Sequence, residues 1–331
     1  MALVLGAEAL DGVLEMREAI DLLEVMSEHE AAGKTFISPR MSSTFEGGWM
    51  RMMFAADYAA GYAATKAFHM IEGVGVRYVV SLYRLADGEL LAVLDGRMIT
   101  DLRTGAASGV VARKLRIEGP VTVGLIGAGH QSRMQLESLA AVYRVESAAV
   151  FSPTAENRER MARQMSSKLG IPVKAEASAE AAARGHAVVV AATSSQRTEP
   201  VLRGEWLDRC RLLCAVGSTR PQSIEVDEAS FRAAKVVVVD TPRAAEEAGD
   251  LHFAVNSGAV RAEQQTTLAQ VAAGTARLPD TGLTVFKSVG TALQDLALAV
   301  RYFDLLRGRK DLPAALDLAS LKKPVSAKPR G

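Results

Sequence analysis

The sequence predicts an α/β fold built on a doubly wound parallel sheet, carried by the second half of the chain. From Pro120 onwards, short apolar runs alternate with segments of helical character, which is typical of βαβ units. The run VTVGLIG over 121–127 is continuously apolar, as expected of a strand buried on both faces. A glycine-rich turn follows it directly. We therefore expect a Rossmann domain with right-handed crossovers in this part of the chain.

The first part of the chain predicts a mixed α and β unit. Apolar residues recur at helical spacing near the N-terminus, and two β-like runs joined by an Asp-Gly turn follow. In order, the predicted elements are a helix over 15–32, an irregular stretch rich in Met, Ala and Gly over 50–70, strands over 77–85 and 89–94, a turn at 95–96 and a helix of small residues over 104–115.

The second half alternates regularly between strands and helices. The predicted strands are 121–127, 148–152, 172–176, 187–193, 211–217 and 235–240, and the predicted helices are 130–143, 154–169 and 178–184. From residue 284 the pattern predicts a turn into a long helix that returns the chain to its N-terminal part.

Composition narrows the classes of function. The 331 residues suffice for two domains, and 39 Lys and Arg against 38 Asp and Glu leave no basic stripe for nucleic acid. No run of about 18 uncharged apolar residues occurs, and the N-terminus lacks a basic signal region, so we expect no membrane segment and a cytoplasmic location. Cys210 and Cys214 lack metal-ligand spacing and a histidine cluster, so we expect buried cysteines and no metal site.

The turn after the first parallel strand predicts a dinucleotide site. It consists of Gly127, Ala128, Gly129, His130, Gln131 and Ser132, a G-x-G-x-x-S pattern between a buried strand and a helix. The first glycine permits the tight turn, the second lets a pyrophosphate approach the backbone, and the serine is small enough for helix–strand packing. Phosphates would bind the amides at the helix N-terminus.

Small polar residues at the ends of later strands are further candidates for cofactor contacts. Ligands of such sheets bind at the carboxyl ends of the strands. The second strand ends without an acid for the ribose 2′-hydroxyl, while Arg158 and Arg160 follow, which leans towards NADP over NAD. Each candidate could equally be a turn or surface residue. The candidates are Ser152, Thr154, Arg158, Thr193, Ser194, Gly217, Ser218 and Thr219.

Several ordered pieces of the chain resemble the ornithine cyclodeaminase/μ-crystallin family. They are SPR (38–40), Lys66, DGRMITDLRTGAAS (95–108), GAGHQS (127–132), VGSTRP (216–221) and VFKSVGTALQDLA (285–297). The resemblance implies a homodimer and an NAD(P)-binding Rossmann domain (119–299). That domain is inserted into an α+β dimerisation and substrate domain formed by 1–118 and 300–331. It also implies an enzyme of small amino or imino acids.

The resemblance assigns substrate-site positions to Arg40, Lys66 and Arg103. A guanidinium can grip the carboxylate of such a substrate through two hydrogen bonds. Arg103 is expected just before a helix, whose dipole adds positive potential. Lys66, the predicted catalytic residue, could bind the carboxylate or move a proton to or from the substrate nitrogen. The resemblance further places Ser288, Val289 and Gly290 near the nicotinamide, and we interpret Asp295, on the same helix, as structural.

One departure from the cyclodeaminase pattern directs the functional prediction. Cyclodeaminases carry an acid/base Asp two residues before the proline of VGSTRP, where this chain has Thr219. A hydroxyl does not titrate near neutral pH, and Glu225 lies beyond the proline. We therefore predict an NAD(P)H-dependent reductase of a small cyclic imino acid. The alternatives are ornithine cyclodeaminase, an alanine dehydrogenase or opine-type reductase, and a non-enzymatic ligand-binding protein.

Overall fold

A computed structural model describes residues 2–194 and 198–309 of the chain. These residues form two sheets, and the second is parallel throughout with helices against it. The predicted α/β fold with a parallel sheet is therefore confirmed.

The first sheet is mostly antiparallel. Its order is β1-β7-β6-β5-β4-β2, with β3 paired to β4. Among the described strand pairs of this sheet, β1 with β7 is parallel and the others are antiparallel. The strands are β1 (Leu3–Leu5), β2 (Thr35–Ile37), β3 (Met41–Phe45), β4 (Gly48–Asp57), β5 (Tyr62–Ile71), β6 (Gly75–Arg84) and β7 (Leu90–Asp95).

The second sheet has the order β10-β9-β8-β11-β12-β15-β13-β14. The central strands 188–191 and 212–215 are wholly buried, as their continuous apolar runs require. The strands are β8 (Val121–Ile126), β9 (Val145–Phe151), β10 (Val173–Ala175), β11 (Val188–Ala191), β12 (Leu212–Ala215), β13 (Ala234–Val239), β14 (Gln265–Thr267) and β15 (Leu283–Lys287).

Helices cover the sheets and fill the space between them. They are α1 (Ala7–Leu10), α2 (Met16–Ala31), α3 (Gly96–Leu115), α4 (His130–Val142), α5 (Ala155–Leu169), α6 (Ala179–Ala183), α7 (Glu228–Ala233), α8 (Ala244–Glu247), α9 (Gly249–Asn256), α10 (Leu268–Ala272) and α11 (Ala292–Leu306). Within the described part of the chain, no helix is both long and apolar enough to cross a membrane.

The segment after β15 links the two sheets. Strand β15 lies between β12 and β13, whereas α11, only a few residues later, packs against β4, β5, α2 and α3. The predicted domain boundary at 299/300 falls inside this helix. The division of the chain into two domains stays a prediction.

Three predictions about local structure were wrong. The stretch 50–70 is not irregular: it forms most of the hairpin β4–β5, whose alternation is obscured because both faces carry small or apolar side chains. The segment 283–287 is a strand, which was missed because its neighbours lie far away in sequence. Arg103 lies within α3, because Asp95 caps the helix by accepting hydrogen bonds from the amides of residues 97 and 98.

Candidate functional site

A cavity of about 330 Å³ lies between the two sheets. One wall comes from β4, β5, β6 and α3, and the other from the ends of β11 and β12 and the loop after β15. The predicted substrate residues are thus brought together with part of the predicted cofactor set. The predicted residues that line this cavity are Arg40, Lys66, Arg103, Gln131, Thr193, Ser194, Gly217, Thr219, Ser288 and Val289.

Lys66 is a buried cation at the centre of this wall. Its side chain is 2% exposed, and its Nζ donates to Thr100 Oγ1 at 2.6 Å and to Asp295 Oδ1 at 2.7 Å. The Thr100 hydroxyl donates in turn to the Gly96 carbonyl, so its oxygen is held as an acceptor for Lys66. Burial lowers the pKa of Lys66 to about 8, and the attraction of Asp295 limits the drop. The third N–H of the ammonium is left for a ligand.

Arg103 lies beside Lys66, with most of its donors unused. Its Nη1 donates to Gln294 Oε1 at 3.2 Å, and its Nε lies 3.8 Å from Asp295 Oδ1. The Nε of Arg103 and the Oδ2 of Asp295 are buried without a hydrogen-bond partner among the described residues. Gly290 admits the guanidinium, because a Cβ there would be 2.3 Å from Nη1. Such a half-satisfied cluster is what a bound carboxylate or ordered water completes.

Arg40 reaches the same cavity but is largely engaged. Its Nη2 donates to the carbonyls of Val289 at 2.8 Å and Gly290 at 2.9 Å, and its Nη1 pairs with Glu247 at 3.1 Å. The guanidinium therefore holds the loop after β15 against the first sheet. Because both of its Nη atoms are engaged, it offers the cavity positive charge and few free hydrogen-bond donors.

That loop is anchored from the other side by a buried acid, Asp240, at the end of β13. The carboxylate accepts from the Ser288 hydroxyl at 2.6 Å, from the Val289 amide at 3.1 Å and from the Gly290 amide at 2.7 Å. Ser288, Val289 and Gly290 are therefore fixed in one conformation between Asp240 and Arg40.

A second cavity, of about 530 Å³, follows the glycine-rich turn. Gly127 has φ of +115° and would place a Cβ 2.3 Å from the Ala192 carbonyl, so this position needs glycine for the turn. At Gly129, by contrast, a Cβ would meet nothing within 4 Å, which leaves open space for a ligand. Helix α4 begins there without a side-chain cap, so its amides are available to an anion. The predicted residues that line this cavity are Gly127, Ala128, Gly129, His130, Ser152, Thr193 and Ser194.

The two cavities adjoin, because Ala192, Thr193 and Ser194 line both. The residues of the turn and strand ends thus fit a dinucleotide that extends from the glycine turn towards the cationic wall. Arg160, which the sequence associated with a preference for NADP, also lines the second cavity. Asn157 and Arg133 line it too and were not predicted.

Five predicted cofactor residues are not among those lining either cavity. Gly290 lies in the loop held between Arg40 and Asp240. Ser132 is buried at the base of α4 near the Ala192 carbonyl, where its small size serves packing. Ser218 turns inward and donates to the Ser223 carbonyl at 2.6 Å. Thr154 precedes α5, and Arg158 donates to the Ser152 carbonyl at 2.9 Å.

Glu225 is fully buried behind the meeting point of the cavities. It accepts from the Thr193 amide at 2.6 Å and from the Gly217 amide at 2.7 Å, and so ties together the ends of β11 and β12. Burial raises its pKa, against the attraction of Lys287. A carboxylate engaged in this way is a scaffold for the two loops.

A model of the ornithine cyclodeaminase/mu-crystallin family matches residues 2–310. The chain belongs to this family. Its relatives include reductases of Δ1-pyrroline-2-carboxylate, ketimine and iminosuccinate, as well as alanine dehydrogenase and a probable ornithine cyclodeaminase. The predicted family membership is therefore confirmed, and with it a class of NAD(P)-dependent enzymes that act on C–N bonds.

Three relatives illustrate the likeness. The chain is 32% identical to alanine dehydrogenase of Archaeoglobus fulgidus, over 90% of this chain and 92% of that one. It is 29% identical to Thermococcus litoralis Δ1-pyrroline-2-carboxylate reductase, solved with NADH and L-proline, at a TM-score of 0.84 over 92% and 97% of the two chains. An archaeal alanine dehydrogenase dimer with bound NAD gives 28% identity and a TM-score of 0.87 over 96% and 99%.

Sequence reasoning missed the acids that organise the site. Asp295 was interpreted as structural, yet it contacts both Lys66 and Arg103. Asp240 and Glu225 were not proposed as anchors. A signal for Asp295 was available, because a buried lysine on the first sheet requires a nearby carboxylate.

Proposed function

We propose that this protein is a reductase of a small α-imino acid, with NAD(P)H as its cofactor. The observation that carries the proposal is the cationic wall of Lys66 and Arg103, which faces a cavity adjoining the glycine-turn cavity. A carboxylate bound on that wall would lie next to the end of a dinucleotide.

The residues have separate roles in this proposal. Arg103, with most of its donors unused, binds the substrate carboxylate through two hydrogen bonds. Arg40 adds positive charge and holds the loop that carries Ser288 and Val289. Lys66 uses its remaining N–H towards the substrate nitrogen, and its pKa of about 8 suits a proton donor near neutral pH.

A nicotinamide cofactor, when bound, supplies the hydride that reduces the C=N carbon. Lys66 keeps the nitrogen protonated, because a protonated imine accepts a hydride more readily, and it recovers its proton from solvent. Asp295 holds Lys66 in position and keeps its pKa from falling further.

The residues lining the cavity support net reduction over ammonia elimination. They include no Asp or Glu within the described part of the chain. Thr219, which by the sequence resemblance stands where cyclodeaminases carry an acid, lines the cavity, and Glu225 is engaged with two backbone amides. The cavity thus lacks the additional carboxylate base that deamination and ring closure require.

We propose NADP as the preferred cofactor. The glycine-turn cavity is lined by Arg133 and Arg160, and Asp and Glu are absent among its lining residues in the described part of the chain. A guanidinium can bind the 2′-phosphate, whereas an acid would bind the 2′-hydroxyl of NAD. An Arg160→Ser variant should raise KM for NADPH by roughly tenfold with little effect on NADH. An equal effect on both cofactors would contradict this assignment.

We also propose a homodimer formed through the outer face of the first sheet. Met50 and Met52 on β4 and Val79 on β6 are each more than two-fifths exposed, and Phe36 and Met41 on the neighbouring strands are exposed to a similar or greater degree. A continuous apolar face of this kind is typical of a subunit interface. The predicted units, 1–118 with 300–331 and 119–299, would then be a dimerisation and substrate domain and a cofactor domain.

A cofactor-oxidation screen tests the proposed function. The purified protein is mixed with NADH or NADPH and with Δ1-pyrroline-2-carboxylate, Δ1-piperideine-2-carboxylate, or a 2-oxo acid plus ammonia, and separately with ornithine. We expect oxidation of the cofactor with at least one imino acid. Release of ammonia from ornithine without net cofactor use would indicate a cyclodeaminase, and binding of NADPH without any turnover would indicate a ligand-binding protein. The cytoplasmic location also stays a proposal, which the free, buried Cys210 and Cys214 support.

A further inference from the structure

A third cavity, of about 300 Å³, adjoins the cavity in which the substrate is proposed to bind, and Arg40 and Met53 line both. Its volume is at the lower end of the range of small-molecule sites, roughly 300–1,000 Å³. One wall comes from the end of α2 and from β2 and β4, and the other from the loop after β13, α8 and the start of α11. The proposed reduction leaves the charged residues of this cavity, other than Arg40, without a role.

This cavity lies on the opposite face of the first sheet from the proposed dimer interface. Along β2 the side chains alternate between the two faces of the sheet. Phe36, which is 46% exposed, belongs to the apolar outer face, whereas Thr35 and Ile37 line the cavity. A second copy of the chain seated on the outer face would therefore not fill the cavity.

Glu30 supplies an unneutralised negative charge to this cavity. Its carboxylate has no hydrogen bond or ion pair within the described part of the chain, although the side chain is partly buried. Burial, and to a lesser degree the negative charge of Asp240, raises the pKa of Glu30 to about 7. A carboxylate held near another acid without a cation is expected where a ligand supplies the positive charge.

The positive charge in the cavity is also incompletely used. Arg40 Nη1 and Glu247 form an ion pair at 3.1 Å, so these two charges neutralise each other. The Nε of Arg40, whose side chain is 9% exposed, is nevertheless buried without a hydrogen-bond partner among the described residues. The Arg243 side chain, at the exposed edge of the cavity, has no ion pair elsewhere in the described structure. Glu30 and Arg243 therefore line one cavity with opposite charges and do not pair with each other.

We infer that this cavity is a second binding site, for a small zwitterionic amino acid. The ammonium group of the ligand donates to the Glu30 carboxylate, and its carboxylate accepts from Arg243 and from the Nε of Arg40. An ammonium group bound there also favours the charged form of Glu30. A ligand with a single charge would neutralise one end of the cavity and leave the other without a counter-charge. The inference goes beyond the proposed reduction, because it concerns binding outside the substrate cavity.

Equilibrium dialysis of the full-length protein tests this site. The probes are radiolabelled L-alanine and 4-aminobutyrate, which are zwitterions, and ethylamine and propionate, which carry one charge each. The measurements are made at pH 8, at which Glu30, with a pKa of about 7, is mostly ionised. An Arg103→Lys background weakens the binding of carboxylates in the substrate cavity. We expect at least one zwitterion to bind ~10-fold or more tightly than either singly charged probe, as one additional charge-assisted contact provides.

Substitutions at the two ends of the cavity complete the test. Glu30→Gln and Arg243→Gln should each reduce the affinity for that zwitterion ~10-fold without a change in Tm. Glu28→Gln, at an exposed acid on the same helix α2, is the matched control. The set is repeated with Arg103 intact, so that the result does not depend on the folding of the Arg103→Lys protein.

Three results would overturn the inference: no measurable binding of either zwitterion, binding of ethylamine or propionate as tightly as the zwitterions, or equal affinity in both variants and the control. Dialysis needs neither cofactor nor turnover. Failure of the reductase proposal would therefore leave this result unaffected, and the cofactor-oxidation screen decides that proposal separately.

Discussion

Replacement of Asp295 by Asn tests the electrostatic basis of the site most sharply. Asp295 Oδ1 accepts from Lys66 Nζ at 2.7 Å, and both side chains are buried. An opposite charge at such a distance shifts a pKa by ~1–3 units. Removing it should lower the pKa of Lys66 from about 8 to ~6, because burial then acts with less opposition.

The magnitude follows from the protonated fraction of Lys66. With a pKa of about 8, roughly nine-tenths of the lysine is charged at pH 7, and with a pKa of ~6 roughly one-tenth is. If Lys66 acts as the proton donor, kcat/KM at pH 7 should fall ~10-fold in Asp295→Asn. The decline of kcat/KM at high pH should begin ~2 units lower.

The assay is the pH dependence of kcat/KM for imino-acid reduction, with thermal unfolding as a check on folding. Asp304→Asn, at a partly exposed carboxylate on the same helix, is the matched control and should leave the profile unchanged. A folded, active Asp295→Asn enzyme whose activity still declines near the wild-type pH would refute the assignment of Lys66 as the proton donor.

Three further sets of substitutions test carboxylate binding, the geometry of the glycine turn and the structural role of Glu225. Arg103→Lys should reduce kcat/KM ~100-fold, mainly through KM, because a lysine cannot form the two-pronged contact with a carboxylate; an unchanged KM would exclude Arg103 from carboxylate binding. Gly129→Val should weaken NADPH binding ~10-fold or more in a fluorescence titration, with little change in Tm, because the new side chain would fill the open space beside the turn. Gly127→Val should instead lower Tm, because its Cβ would be 2.3 Å from the Ala192 carbonyl. The reverse pattern would contradict these roles. Glu225→Gln should destabilise the fold by ~1–3 kcal/mol in urea unfolding, because the two backbone N–H groups bind different carboxylate oxygens and the NH2 that replaces one oxygen cannot accept. An unchanged midpoint would mean that those bonds contribute little.

The parallel sheet was largely predictable, because a strand buried on both faces carries its signal in its own residues. The runs at β11 and β12 are continuously apolar, and those at β8 and β13 are apolar except for one residue each. Strand β15 lacked this advantage. It is short, ends in a buried lysine that requires Asp250 as its partner, and takes its place from two strands distant in sequence.

The glycine turn could likewise be predicted, because its geometry depends on adjacent residues. The acids that organise the site could not be, since each acts on residues far away in sequence. Asp295 lies 229 positions from Lys66, and Asp240 lies 50 positions from Gly290.

Transfer of label from the cofactor tests the central claim most directly. The protein is mixed with NADPH carrying deuterium at the transferable position of the nicotinamide and with an imino acid, and the product is analysed by mass spectrometry. The proposed reduction requires one deuterium at the α-carbon of the amino acid for each cofactor oxidised. An amino acid formed without deuterium, or oxidised cofactor with no amino acid, would contradict the claim that this cavity reduces a C=N bond.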